Sequence, residues 1–187
     1  IFSKETRVKA ALLSGIDIVL ELPFIYASAS AEYFSFNAVK ILSDFGCDKL
    51  AFGTESADIE SLNKAVDVLM REDFNDEIKK YYNDGVSFPV ARQMAFDKCN
   101  IDCDISTPNN ILAIEYIRAI RKLGAKIEPI SINRKGAGYN DTTAIDEFAS
   151  ATHIRQLIYN NESFEKYIPD YLLDLYNDSI KDGKYVS

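Results

Sequence analysis

Two rhythms of apolar residues alternate along the chain, and each marks a different kind of element. Residues 4–14 place Val8, Ala11 and Leu12 on one helical face, with Ser3 ahead as a cap and Gly15 behind. Residues 16–22 are almost continuously apolar and β-branched, and they stop at Pro23; that pattern predicts a strand covered on both faces. A second helix is predicted over 30–45, with Ala31, Phe34, Ala38, Ile41 and Leu42 inward and Gly46 at its end. Residues 49–53 read as the next strand. Residues 58–71 read as a helix whose first position, Asp58, suits the positive end of the helix dipole. Two amphipathic helices follow, 74–84 and 88–98, separated at Gly85. A further helix over 108–123 lies between Thr107 and Gly124, and a third strand over 126–132 comes after it. The chain is helical again from Ser150 onward.

Helices alternating with buried strands predict an α/β fold with a mostly parallel sheet. Residues 1–149 would form that core, interrupted by a helical insertion at about 74–105, and 150–187 would be a helical extension that starts a further domain. Three strands are few for this much helix. The chain also opens on Ile1 and not on methionine, so it reads as a fragment whose absent N-terminal part supplies more strands.

Composition narrows the class. The 187 residues are 47% hydrophobic, enough for a sizeable core, and the net charge of −8 disfavours unspecific binding to nucleic acid or to an anionic membrane. The longest apolar stretch, 16–36, is broken by Asp17, Glu21, Pro23 and Glu32, so it belongs to a core and not to a membrane span. Three cysteines (Cys47, Cys99, Cys103) without a secretory signal indicate a reduced, cytoplasmic protein. Cys99 and Cys103 with the lone His153 fall short of the four ligands of a structural zinc, so no metal site is expected.

Polar residues gather where strands end and helices begin, which is where an α/β sheet offers free backbone N–H groups to a ligand. Gly53 leaves the second strand; it either lets a nucleotide approach the backbone or simply turns the chain. Thr107-Pro108-Asn109-Asn110 opens a helix with more asparagine than one cap needs, and the pair serves either capping or ligand contact. Arg134-Lys135-Gly136-Ala137-Gly138 follows the third strand and could hold a triphosphate or be a solvated basic loop. Ser150, Thr152 and Arg155 form a helix start suited to phosphate. Glu21, Glu32 and Glu55 lie near element ends, and the sequence does not show any two of them converging. No Walker A, Rossmann glycine or Ser/His/Asp arrangement is present.

Taken in order, these segments resemble the bacterial tRNA(Met) cytidine acetate ligase family of the nucleotidyltransferase-like superfamily. The likeness is carried by Lys4 through Gly15, Glu21-Leu22-Pro23-Phe24, Ser30-Ala31-Glu32-Tyr33-Phe34 and Phe52-Gly53-Thr54-Glu55-Ser56. It continues in Pro108-Asn109-Asn110-Ile111-Leu112, Arg134-Lys135-Gly136-Ala137-Gly138-Tyr139 and Ser150-Ala151-Thr152-His153-Ile154-Arg155. The resemblance implies a Rossmann-like nucleotidyltransferase fold. It implies ATP as substrate, with Mg2+, and acetate and elongator tRNA(Met) as partners. Acetate would attack the α-phosphate of ATP, and the wobble cytidine would then take the acetyl group to give N-acetylcytidine. Carried over by motif, Gly53, Asn109 or Asn110, Arg134, Lys135, Ser150, Thr152 and Arg155 would bind ATP.

One departure is large. The family's N-terminal strand and His-x-Gly-His motif are absent, so no catalytic residue is assigned and the segment alone is expected to be inactive. The acidic balance leaves tRNA recognition to other parts, or to a patch around Arg118, Arg121, Lys122 and Arg134. Two other readings remain open at this stage: a nucleotide- or RNA-binding module without catalysis, and a nucleotidyltransferase acting on a different small substrate.

Overall fold

The structure, a computed structural model, describes residues 2–55, 58–82, 85–101, 103–133 and 149–183. In chain order the elements are α1 (Lys4–Leu13), α2 (Phe24–Ala27), α3 (Ala31–Phe45), β1 (Lys49–Thr54), α4 (Ile59–Leu69), α5 (Phe74–Tyr82), α6 (Phe88–Asp97), α7 (Pro108–Leu123), β2 (Glu128–Asn133), α8 (Ala151–Tyr159), a short 3-10 turn (Glu165–Tyr167) and α9 (Asp170–Lys181). They group into two compact units. One is Leu22–Arg134; the other joins Ile1–Glu21 to Lys135–Ser187.

The larger unit is built on two parallel strands. β1 and β2 pair from Lys49 opposite Glu128 to Thr54 opposite Asn133, so their carboxyl ends finish level. Thr54 Oγ1 donates to Asn133 Oδ1 at 2.8 Å and ties those ends together. Parallel strands need a long crossover, and here α4 to α7 supply it. α7 is the central helix. Asn110, Ala113, Ile114, Glu115, Ile117, Ala119 and Ile120 are all buried, a span too wide for one face, so the helix is covered from several sides.

Two apolar clusters do the covering. Phe52 of β1 joins Leu62, Ala65 and Val66 of α4, Phe74 and Ile78 of α5, Ala91, Ala95 and Phe96 of α6, and Ile114 and Ile117 of α7. The insertion helices thus share the sheet's own core. On the other flank Val39 of α3 packs with Ala119, Ile120 and Ile127. Gly46 and Gly124 end α3 and α7 in the left-handed conformation, with φ of 89° and 60°, which residues with a Cβ rarely adopt. The next residues close each turn, Cys47 N–H onto Leu42 O and Ala125 N–H onto Ile120 O, both at 3.0 Å. Each device turns a helix directly toward a strand.

In the smaller unit α1 packs on α9. Thr6 Oγ1 and Ser179 Oγ lie 3.0 Å apart in a buried contact, and the rings of Phe2 and Tyr176 are 4.6 Å apart. This contact corrects the face expected of α1. Thr6 and Ala10 are its buried residues, whereas Leu12 is 45% exposed. The face that meets α9 is the one carrying Thr6 and Ala10, not the apolar stripe.

The strand expected over 16–22 is not formed. Those residues carry no strand hydrogen bonding, and Ile16, Ile18, Val19 and Leu20 are 39–55% exposed. An apolar β-branched run becomes a strand only when a neighbour takes its N–H and C=O groups. Among the described residues β1 and β2 pair only with each other, so the three expected strands are two. Otherwise the predicted helices are present, with ends within a few residues of the expected ones.

Candidate functional site

At the carboxyl end of β1 the chain meets the first turn of α7, and Glu55 makes the junction. Its Oε1 accepts from the Asn109 backbone N–H at 3.2 Å and from the Asn109 side-chain Nδ2; its Oε2 accepts from the Asn110 N–H at 3.1 Å. The carboxylate therefore sits on the free amides of a helix start, where a negative charge is favoured twice, by hydrogen bonding and by the helix dipole. Burial alone would raise the Glu55 pKa, but the hydrogen bonds from the Asn109 side chain and from the Asn109 and Asn110 amides hold it below the ordinary carboxylate value.

Asn110 completes the joint from the other side. It is fully buried; its Oδ1 accepts from the Glu55 N–H at 3.2 Å and its Nδ2 donates to Asp104 O at 2.9 Å. The pair expected to touch ATP has thus divided its work, with Asn110 locking strand to helix and Asn109 half-buried beside open space. That space is a hollow of about 310 Å³ bordered by Gly53, Asn109, Leu112 and Tyr116, with Ala38 and Leu42 of α3 across from them. Its volume falls within the range of small-molecule sites, at the low end of about 300–1,000 Å³. Phe52 stacks on Tyr116 with ring centroids 5.8 Å apart, and burial raises the Tyr116 pKa.

The other helix start with a phosphate-like signature is α8, in the smaller unit. Ser150 is buried and caps it, its Oγ accepting from the His153 N–H at 3.0 Å. Arg155 Nη2 donates to Thr152 Oγ1 at 2.9 Å, so the two lie on one face a turn apart. His153 packs edge-on against Tyr167 at 5.7 Å. Arg134 and Lys135 lie outside the described residues.

The expected basic patch is different in character. Arg118 Nη1 donates to both oxygens of the buried Glu115, at 2.8 and 2.9 Å, and Arg92 reaches the same carboxylate at 3.8 Å. Arg121 pairs with Asp67 at 2.5 Å and Lys122 with Glu32 at 2.8 Å. Each of these cations already has a carboxylate, so the three do not form an uncompensated basic surface. The Lys122 hydrogen bond, opposed by burial and aided by the charges of Lys122, Arg118 and Arg92, lowers the Glu32 pKa. Glu21 pairs with Lys4 at 2.9 Å. The sequence hid the buried Glu115 and its arginines because their spacing on a helix looks like any solvated ion pair. Among the described residues no group of three or more His, Cys, Asp or Glu side chains is arranged to hold a metal, and no helix is long and apolar enough to cross a membrane.

A parallel α/β core that brings a glycine at a strand end beside a capped helix start is the architecture of nucleotide-binding folds. The profile of the HIGH Nucleotidyl Transferase family matches residues 1–187, and the chain belongs to that family. Within it the chain is similar to proteins named tRNA(Met) cytidine acetate ligase. The one from Caldicellulosiruptor bescii is 41% identical over 188 residues, covering 98% of this chain, and the one from Clostridium perfringens is 39% identical, covering 92%. A crystal structure of apo Thermotoga maritima TmcAL superposes with a TM-score of 0.87 at 30% identity over 98% of the chain; a second, bound with alpha-thio ATP, gives 0.83. The chain spans about half the length of these relatives, 47% of the C. bescii protein and 45% of the alpha-thio ATP-bound chain.

Proposed function

We propose that this chain is the nucleotide-binding part of an ATP-dependent tRNA(Met) cytidine acetate ligase. An acetate oxygen attacks the α-phosphorus of ATP and pyrophosphate leaves, giving acetyl-adenylate. The exocyclic amine of the wobble cytidine in elongator tRNA(Met) then attacks the acetyl carbon, AMP leaves with the bonding pair, and the amine loses a proton. The observation that carries this reading is the resemblance at about 40% identity along nearly the whole chain to proteins of that name. The ATP analogue bound to the similar T. maritima protein supports the nucleotide.

In this reading Gly53 and Asn109 meet the nucleoside end of ATP, and Asn110 serves by holding Asn109 in register. Arg134 and Lys135, just past β2, neutralise the polyphosphate, and Ser150, Thr152 and Arg155 at the start of α8 are further candidate phosphate contacts, read from their motif alone. Adenylyl transfer depends mainly on positioning and on stabilising spread negative charge, and backbone amides and guanidinium groups supply both. Mg2+ arrives with the triphosphate as part of the substrate, and no residue is assigned to it. Residues 1–149 are the nucleotide-binding core, and 150–187 begin a further domain. The protein works in the cytoplasm, where ATP and tRNA are found.

The test is the full-length protein with ATP, labelled acetate and tRNA(Met). Labelled acetyl-adenylate in the absence of tRNA, and N-acetylcytidine in its presence, are expected. Absence of both ends the proposal.

A further inference from the structure

Two stripes of side chains run along different faces of α7. Asn109, Leu112 and Tyr116, spaced three and four apart, border the hollow. Glu115, Arg118 and Lys122, at the same spacing, meet Arg92 of α6 and Glu32 of α3 instead. Around this second stripe three cations (Arg92, Arg118, Lys122) face two carboxylates (Glu32, Glu115), so one positive charge is left over. Lys122 and Glu32 satisfy each other at 2.8 Å. Glu115 is shared between the arginines, and both its oxygens accept from Arg118 Nη1. Arg92 Nη2 stands 3.8 Å from Glu115, beyond hydrogen-bonding distance, and among the described residues the Arg92 guanidinium has no acceptor. Arg118 also has donors to spare, since its Nε is sealed from solvent without a partner and its Nη2 has none among the described residues. Burial, and after it the charge of Arg118, push the Arg92 pKa down against the pull of Glu115, as happens to a cation taken from water without a full set of partners. Both side chains are still about one-fifth exposed, at 22% and 20%, so an anion can reach them from outside.

We propose that Arg92 and Arg118 together hold one backbone phosphodiester of the tRNA substrate. Guanidinium groups with free N–H donors match the two non-bridging oxygens of a phosphate. The surplus charge selects the kind of phosphate. A phosphodiester carries a single negative charge and neutralises the cluster, whereas a phosphomonoester carries about −1.5 to −2 at pH 7 and overfills it. Acetate has the right charge, but it has to reach the α-phosphorus of a nucleotide whose hollow lies on the other face of α7. A single unpaired cation among paired ones orients an RNA that is held elsewhere, which agrees with a chain whose net charge is −8. The inference rests on the reading of this chain as part of a tRNA ligase and adds to it a point of contact with the RNA.

The experiment measures tRNA(Met) binding to the full-length protein over a salt series, and acetyl-adenylate formation from ATP and acetate without tRNA, for wild type, Arg92→Gln and Arg92→Lys. Arg92→Gln should weaken tRNA binding about ten-fold, the worth of one charge-assisted hydrogen bond. The slope of log affinity against log salt should shrink by about 0.7–0.9, the share of one phosphate. Acetyl-adenylate formation should match that of wild type. Arg92→Lys puts the charge back and should restore the salt slope. In wild type, tRNA(Met) but not ATP should protect Arg92 from modification by phenylglyoxal, read by peptide mass spectrometry. Wild-type tRNA affinity in Arg92→Gln overturns the inference, and so does weaker binding with an unaltered salt slope. An Arg92→Lys variant with the reduced slope of Arg92→Gln makes the loss structural and overturns it too. Failure of acetyl-adenylate formation with tRNA binding intact gives the cluster to acetate and overturns it. Absence of protection by tRNA overturns it without any variant, so a folding defect in a substitution leaves the test decisive. A wild type that binds no tRNA(Met) removes the ligase reading itself, whereas the other adverse results leave that reading standing.

Discussion

Arg118 grips Glu115 with one guanidinium nitrogen on both carboxylate oxygens, at 2.8 and 2.9 Å, although Glu115 is only 6% exposed. A second guanidinium, that of Arg92 on α6, lies 3.8 Å from the same carboxylate, and burial pushes the Arg92 pKa down against the pull of Glu115. The insertion helix α6 is therefore held to α7 by charge as well as by the apolar contacts of Ala91 and Phe96.

Removing the shared carboxylate leaves two half-buried cations facing each other. Glu115→Ala should destabilise the fold by about 3 kcal/mol, the cost of orphaning a buried charge. Arg92→Ala should cost about 1 kcal/mol, because Arg118 still satisfies Glu115. Urea unfolding of both variants checks the order; equal effects would mean that Glu115 is not the hub.

Asn110→Ala removes the buried amide that joins β1 to α7. Two hydrogen bonds are lost, and the Asp104 carbonyl and Glu55 N–H lose their partner, so a loss of about 2 kcal/mol is expected. Thermal melting checks it, and a change under about 0.5 kcal/mol, the size of an ordinary surface substitution, would contradict the burial seen here.

Glu55 makes stability depend on acid. Its folded pKa is depressed, so its contribution is complete above the ordinary glutamate value of about 4.3 and is lost as pH falls through the lower folded value. The stability of wild type relative to Glu55→Gln should shrink steadily below about pH 4.3. Denaturation at a series of acid pH values measures this; parallel curves would show that the carboxylate gains nothing from the α7 amides.

The exposed run 16–22 gives a prediction of small effect. Ile18, 55% exposed, has little packing to lose, so Ile18→Ser in this 187-residue chain should shift stability by less than about 0.5 kcal/mol. A strand residue buried on both faces would cost several times that. The same unfolding assay separates the two cases.

Arg134→Ala in the full-length protein should weaken ATP binding by roughly 1.5–3 kcal/mol, as expected for a charge-assisted bond to phosphate. Calorimetry reads the change, and an unaltered affinity takes Arg134 out of the site.

Residues whose local pattern is self-sufficient were legible from the sequence. Gly46 and Gly124 end helices because few other residues accept that backbone, and Asp58 caps α4 through its own next turn, accepting from the Ser61 N–H at 2.7 Å. The helix from Pro108 was legible by the same near-neighbour rules, whereas the β1 and β2 runs were legible only as strand-like stretches until their pairing made them strands. The ordered motifs named the family for the same reason, since each is a short contiguous string.

Tertiary structure decided whatever needs a partner far away along the chain. Residues 16–22 have every local feature of a strand and form none, because a strand exists only through its neighbour's hydrogen bonds. Asn109 and Asn110 are chemically identical in the sequence, yet one borders the hollow and the other is fully buried. Glu55, more than fifty positions upstream, separates their roles: its carboxylate takes the side-chain nitrogen of the half-buried Asn109, and its backbone N–H, with the Asp104 carbonyl, fixes the amide of the buried Asn110.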